Sequence, residues 1–211
     1  MQGFSRLFRG GTLFAVMMLV PLVAQSGHSV HDSVARNDIA QVKILLKKGG
    51  AINKTNRYDE KPLHLARTPE MIELLIENGA DVNIENHFGD SPLMQAVFKG
   101  NHELALLLIK YGADANHKNR FDDTPLQEAV NRDLIVMVGI LIESGADVNA
   151  QGKHGDTVLH TAVRRGNRAM ARILVEAGAA VDVKNDDDRI ALDLAVGRSM
   201  KSELVKHQSY R

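Results

Sequence analysis

The chain has 211 residues with 26 basic and 26 acidic side chains, enough for one or two ordinary domains and without the net field that draws a protein to nucleic acid. Aromatic residues make up 4% and Trp is missing, so a core has to come from Leu, Ile, Val, Met and Ala. There is no Cys, which excludes disulfides, thiolate metal sites, cysteine nucleophiles and a lipid-modified cysteine at a processed N-terminus.

The first residues differ from the rest. Arg6 and Arg9 occur without any acid, and the apolar run TLFAVMMLVPLVA follows over residues 12–24. Ala24 and Ser26 have the spacing of a cleavage site. Together these parts form the pattern of a secretory signal peptide over 1–26, cut after Ala24 or after Ser26. The remaining 27–211 is then periplasmic or secreted and has no membrane segment after cleavage. A retained anchor is the alternative, although the run falls short of the about 20 residues that span a bilayer and Pro21 interrupts it.

Two markers then recur in step. GADVN begins at Gly79, GADAN at Gly112, GADVN at Gly145 and GAAVD at Gly178, each 33 residues after the last, with a degraded KGGAIN 30 residues before Gly79. KPLH, SPLM, TPLQ, TVLH and IALD place Leu at 63, 93, 126, 159 and 192, at intervals of 30, 33, 33 and 33. Such a period means stacked supersecondary units.

Within these units, Ser91, Thr124 and Thr157 are placed as N-caps, and Pro92 and Pro125 sit at a first helical position. Ala66, Ala96, Ala129, Ala162 and Ala195 let two helices approach. Apolar pairs at 45/46, 75/76, 108/109, 141/142 and 174/175 end a second helix, and a Gly three residues on is placed to stop it in the left-handed region.

This pattern resembles the ankyrin repeat, G-x-T-P-L-H-x-A followed by V-x-x-L-L-x-x-G-A-D-V-N over 33 residues, and the resemblance covers residues 28–207. It implies an all-α fold: an α-solenoid of about five repeats plus a C-terminal capping helix pair, with β-hairpin-like loops between helix pairs. It also implies a protein partner rather than a small molecule. HSVH (His28 to His31) replaces the usual motif in the first copy, and His207 and Gln208 stand where the last apolar pair belongs, as water-facing terminal repeats require. The second copy is three residues short between its helices. Thr68 and Pro69 there read as the cap and first position of the next helix, so helix 62–67 should lose part of its last turn and leave a notch beside Phe98.

The chemistry-bearing residues fall mostly on the repeat. His64 and His160 occupy the motif histidine, for which the resemblance implies a hydrogen bond to loop backbone. Asp81, Asp114 and Asp147, with Asn83, Asn116 and Asn149, recur at fixed positions, and repetition argues for loop chemistry rather than catalysis. Asn53-Lys54-Thr55 is a formal glycosylation sequon on that same Asn position. No G-x-S-x-G, Walker loop, H-E-x-x-H or G-x-G-x-x-G occurs. The reading is therefore non-catalytic, with no cofactor and no metal.

What the repeat leaves free is a surface. At the loop tips Arg57-Tyr58, His87-Phe88, Arg120-Phe121 and Lys153-His154 align, followed by an acidic row at Glu60, Asp90, Asp123 and Asp156. Lys99, Arg132 and Arg165 form a basic set along the inner helices, next to Phe98. With about 10 Å between packed helices, these become parallel stripes on a concave face. Rings flanked by Arg have the composition of binding hot spots, although neighbouring rows of opposite charge also pair with each other. The sequence thus predicts a monomeric protein-binding scaffold in an exported compartment, with no nucleic-acid role. Two alternatives accompany it: an immunity or inhibitor protein using the same face, and an enzyme sited at the 62–69 notch.

Overall fold

The computed structural model describes residues 29–208; the expected signal peptide lies outside them. Five helix pairs follow one another: α1 (Val30–Ala35) with α2 (Ile39–Lys47), α3 (Pro62–Leu65) with α4 (Pro69–Glu77), α5 (Pro92–Phe98) with α6 (His102–Lys110), α7 (Pro125–Asn131) with α8 (Ile135–Glu143), and α9 (Val158–Arg164) with α10 (Arg168–Glu176). A 3-10 turn (Ala191–Leu194) and α11 (Arg198–Gln208) complete the described residues, so the first helix expected in the cap is reduced to a single tight turn. Among the described residues the only bridge of sheet type is an isolated antiparallel one between Lys184 and Ile190.

The helix boundaries have local causes. The Ser91 and Thr124 hydroxyls accept from the N–H groups of Met94 and Gln127, each at 3.2 Å, which satisfies donors that helix geometry leaves open. Thr157 departs from this: its Oγ1 lies 2.9 Å from His160 Nδ1. The five Gly residues after the second helices take φ between +82° and +94°, a region that costs Gly nothing.

Packing explains the recurring residues. Leu63, Leu93, Leu126 and Leu159 are at most 3% exposed, and the five register alanines at most 7%. Each buried Leu contributes about 1.5–3 kcal/mol, and the alanines keep neighbouring first helices close. First helices of successive full-length pairs contact each other more extensively than second helices do. The stack therefore curves with the first helices on its inner face.

The second pair is shortened as expected. α3 has four residues where α5, α7 and α9 have seven. Ala66 turns to extended backbone at ψ 137°. Thr68 caps α4, accepting from Met71 N–H at 3.4 Å and donating to Asn37 Oδ1 at 2.8 Å.

Candidate functional site

Between helix pairs the chain projects as five fingers, residues 56–60, 86–90, 119–123, 152–156 and 185–189. Each is closed at its base by a hydrogen bond from its first N–H to its last carbonyl, such as Asn86 to Asp90 at 3.1 Å and Asn119 to Asp123 at 3.0 Å. In four of them an Asn side chain shapes the tip. Asn56 Oδ1 accepts from Tyr58 and Glu60 N–H at 2.8 and 3.0 Å, Asn86 from Phe88 and Asp90 at 2.8 and 3.0 Å, and Asn119 from Phe121 and Asp123 at 2.9 and 3.1 Å. Asn185 repeats the arrangement in the fifth finger. The fourth carries Gly152 instead, where a Cβ would come within 2.8 Å of Gln127 Cδ. The Gln127 amide fills that space and donates to the Ala150 and Asp156 carbonyls at 3.3 and 3.4 Å.

The acidic row is not a surface stripe. Asp90 is 4% exposed and accepts from Asn119 Nδ2 of the next finger at 3.0 Å. Asp156 accepts in the same way from Asn185 at 2.9 Å and also pairs with Arg164. Glu60 turns back to its own Asn56 at 3.0 Å. These carboxylates hold fingers in place, as buried or half-buried charges must when they are retained.

The rings are what the fingers display. Tyr58, Phe88 and Phe121 are 60%, 53% and 53% exposed. Phe88 and Phe121 stack with centroids 6.4 Å apart and planes at 27°, while His87 meets Phe88 edge-on at 5.4 Å. The Arg57 guanidinium lies 4.6 Å from the Tyr58 centroid. Arg120, Lys153 and His154 are exposed beside them, and His154 itself takes φ +63°. The structure thus brings Phe88, Phe121 and His87 together as one patch, with Arg57–Tyr58 one finger away.

On the inner helices the basic set is partly spent. Arg132 pairs with Glu128 and covers Phe98, its guanidinium 5.0 Å from the ring centroid. Arg165 binds Asp133 at 2.9 Å. Lys99 lies at the mouth of a narrow hollow beneath the shortened α3. Loss of solvation and the nearby Arg67 charge hold its ammonium below the usual lysine range, with Glu60 acting weakly the other way. The hollow is lined mainly by apolar side chains, among them Leu63, Ala66, Ile72 and Leu104. Both nitrogens of His64 beside it are occupied: Nδ1 accepts from Lys61 N–H at 3.2 Å and Nε2 donates to the Asp90 carbonyl at 3.1 Å.

The remaining polar register residues are structural links. His31, His64 and His160 reach the last carbonyl of the following finger, at Glu60, Asp90 and Arg189, over 3.0–3.1 Å. Asn83 and Asn116 donate to Gly112 and Gly145 and accept from Asp114 and Asp147 N–H in the next repeat. Among the described residues no group of three His, Asp or Glu is arranged to hold a metal ion, and no helix is long and apolar enough to cross a membrane.

A curved stack of helix pairs that carries a row of hydrogen-bonded fingers is a solenoid scaffold, a class that binds through its inner face and loop tips. The family model described as "Ankyrin repeats (3 copies)" matches residues 67–152, 93–188 and 126–207: the chain belongs to the ankyrin-repeat family. The ankyrin repeat domain of Bcl-3, described as "a unique member of the IkappaB protein family", superposes with a TM-score of 0.69 at 25% identity, over 83% of this chain and 97% of that one. A stretch of 84 residues is 34% identical to the E3 ubiquitin-protein ligase XBAT33 of Arabidopsis thaliana. It is 30% identical to the probable E3 ubiquitin-protein ligase XBOS33 of Oryza sativa subsp. japonica. Each match covers 37% of this chain and only 16% of the relative's length. As a family, ankyrin repeats are protein–protein interaction modules.

Proposed function

We propose that this protein is a non-catalytic binding module that captures a protein partner on its finger tips and inner helix face, in a periplasmic or secreted setting. One observation carries the reading: Tyr58, Phe88 and Phe121 remain more than half exposed although each sits on a finger fixed by its own hydrogen bonds. Rings held in this way lose little freedom when a partner covers them, so most of the apolar burial goes into affinity. Arg57, His87, Arg120, Lys153 and His154 form the polar rim around them, and Phe98, Lys99, Arg132 and Arg165 continue the surface along the inner helices. The compartment rests on the signal-peptide pattern of residues 1–26. The relatives' ligase activity is not carried over, because the shared 84 residues are repeat sequence.

The test is affinity capture from the exported fraction with the wild type and with Phe88→Ala/Phe121→Ala. The double variant should lose the partner while its melting temperature stays within a few degrees. Undiminished capture, or a collapse in stability that shows the rings to be packing groups, would overturn the reading.

A further inference from the structure

The fingers are not evenly joined. The Phe88 carbonyl accepts from Arg120 N–H at 3.0 Å, and the His154 carbonyl accepts from Asp186 N–H at 3.0 Å. This ties the second finger to the third and the fourth to the fifth. Both links depend on a Gly. A Cβ at Gly89 would lie 2.9 Å from Arg120 N, and one at Gly155 would lie 2.8 Å from Asp186 N, so only a residue without a side chain lets the next finger approach. The third finger has Asp122 in that left-handed position, at φ +63°. Across from it the equivalent pair, the Phe121 carbonyl and the Lys153 N–H, makes no hydrogen bond among the described residues.

The same seam lacks its side-chain link. Asn119 secures Asp90 and Asn185 secures Asp156, but the residue that would secure Asp123 is Gly152. Among the described residues nothing therefore donates a hydrogen bond to the Asp123 carboxylate. It faces an open hollow between the third and fourth fingers, lined among others by Gln127, Lys153, His154, Asp156 and Arg164. Loss of solvation, reinforced by Glu128, holds this carboxyl above its usual range, with Lys153 pulling the other way. The tip link is missing between the first and second fingers too, yet there Glu60 is satisfied by Asn56 at 3.0 Å. Gln127 and the bond from Lys118 Nζ to the Gln151 carbonyl at 2.7 Å close the base of the third-to-fourth seam, so it opens only toward the tips.

We infer that this seam is an insertion point for an extended polypeptide segment of the partner. The segment's backbone pairs with the Phe121 carbonyl and the Lys153 N–H, and one of its hydrogen-bond donors, an amide or hydroxyl, meets Asp123. An extended strand presents its carbonyl and N–H groups in the alternation this pair requires. A neutral donor suits the hollow better than a cation, because Arg164 is paired with Asp156 and Lys153 already faces Asp123, so its charges are matched without another. The inference rests on the protein-binding reading above and narrows it to a backbone-reading subsite beside the Phe88–Phe121 patch.

Amide hydrogen exchange on the free protein tests the seam itself. Arg120 and Asp186 should exchange slowly and Lys153 fast; equal protection at all three would overturn the inference. For the ligand, a random peptide library displayed on phage is selected on the wild type. Selected peptides should protect the Lys153 amide and bind Asp123→Ala about tenfold more weakly, the loss of one hydrogen bond to a charged group. They should fail on Asp122→Gly/Gln127→His/Gly152→Asn, which installs the residues of the closed fourth-to-fifth seam, Gly155, His160 and Asn185. Peptides that bind this triple variant as well as the wild type but are lost on Phe88→Ala/Phe121→Ala would remove the seam and keep the ring surface. Peptides indifferent to both would remove both. If the triple variant does not fold, the Asp123→Ala and exchange results decide alone.

Discussion

His64 shows how a side chain with catalytic chemistry serves architecture at the scale of one residue. It is 3% exposed and uses one nitrogen to hold its own helix start and the other to hold the next finger. Burial lowers its pKa from 6.5, against the raising effect of the bond to the Asp90 carbonyl. The unfolded chain therefore takes up the proton first. Stability present above pH 6.5 should be lost as the pH falls from there through the lower folded value. Gln127 occupies the same register but needs Gly152 at the head of the next finger, whereas Met94, fully buried at that register, is followed by Asn119, as His64 is by Asn86, so Met rather than Gln is the sterically compatible replacement. His64→Met should lower the urea midpoint at neutral pH, because the Lys61 N–H and the Asp90 carbonyl lose their partner, but flatten its fall below pH 6.5; an unchanged slope would assign the titration to another group. Asp156 follows the same arithmetic from a different cause. Burial raises it, but bonds from Asn185 and Arg164 hold it below 3.8, so its contribution is present above that value and disappears as the pH falls through the folded pKa.

Among the elements, helices and fingers obey different rules, and they were unequally legible. Helix starts and stops were readable because each depends on one or two neighbours in sequence: Ser91 with Pro92, Thr124 with Pro125, Gly112 after Leu108. The same locality makes a contrast testable. Asn101 caps α6 through the Leu104 N–H at 3.1 Å, and Asn101→Ala should cost about 0.5–2 kcal/mol. Asn167 caps α10 and also donates to Asp133 at 2.9 Å. Asn167→Ala should therefore cost more than Asn101→Ala in urea titrations; the reverse order would show that the Asp133 link is idle. The fingers depend on contacts that sequence order does not show. Asn56, Asn86, Asn119 and Asn185 recur as plainly as the helix markers, but their role as tip templates follows only from which N–H groups fold back onto them. The exchange of Asn for Gly152 against Gln127 joins residues 25 positions apart. The acidic row looked like a stripe because alignment gives register without direction, and burial of Asp90 is a property of the neighbouring finger.

For the whole molecule, the 33-residue period was decisive because a stacked array repeats its contacts by translation, so composition at a register position reports its environment. The reduced cap turn at 191–194 broke from that logic because its contacts differ from those inside the stack. In such an array stability is a sum of units and interfaces. Leu126→Ala, at a site 1% exposed, should cost about 2–5 kcal/mol, with exchange accelerating most in α7 and the helices beside it. Uniform acceleration along the chain would mean a single cooperative core instead. The central claim concerns which side of the array meets another protein, and amide hydrogen exchange on the captured complex tests it most directly. Protection should concentrate in residues 56–60, 86–90 and 119–123 and at the adjoining ends of α5 and α7, with α4, α6 and α8 unchanged. Protection confined to those second helices, with the fingers exchanging as in the free protein, would contradict the account.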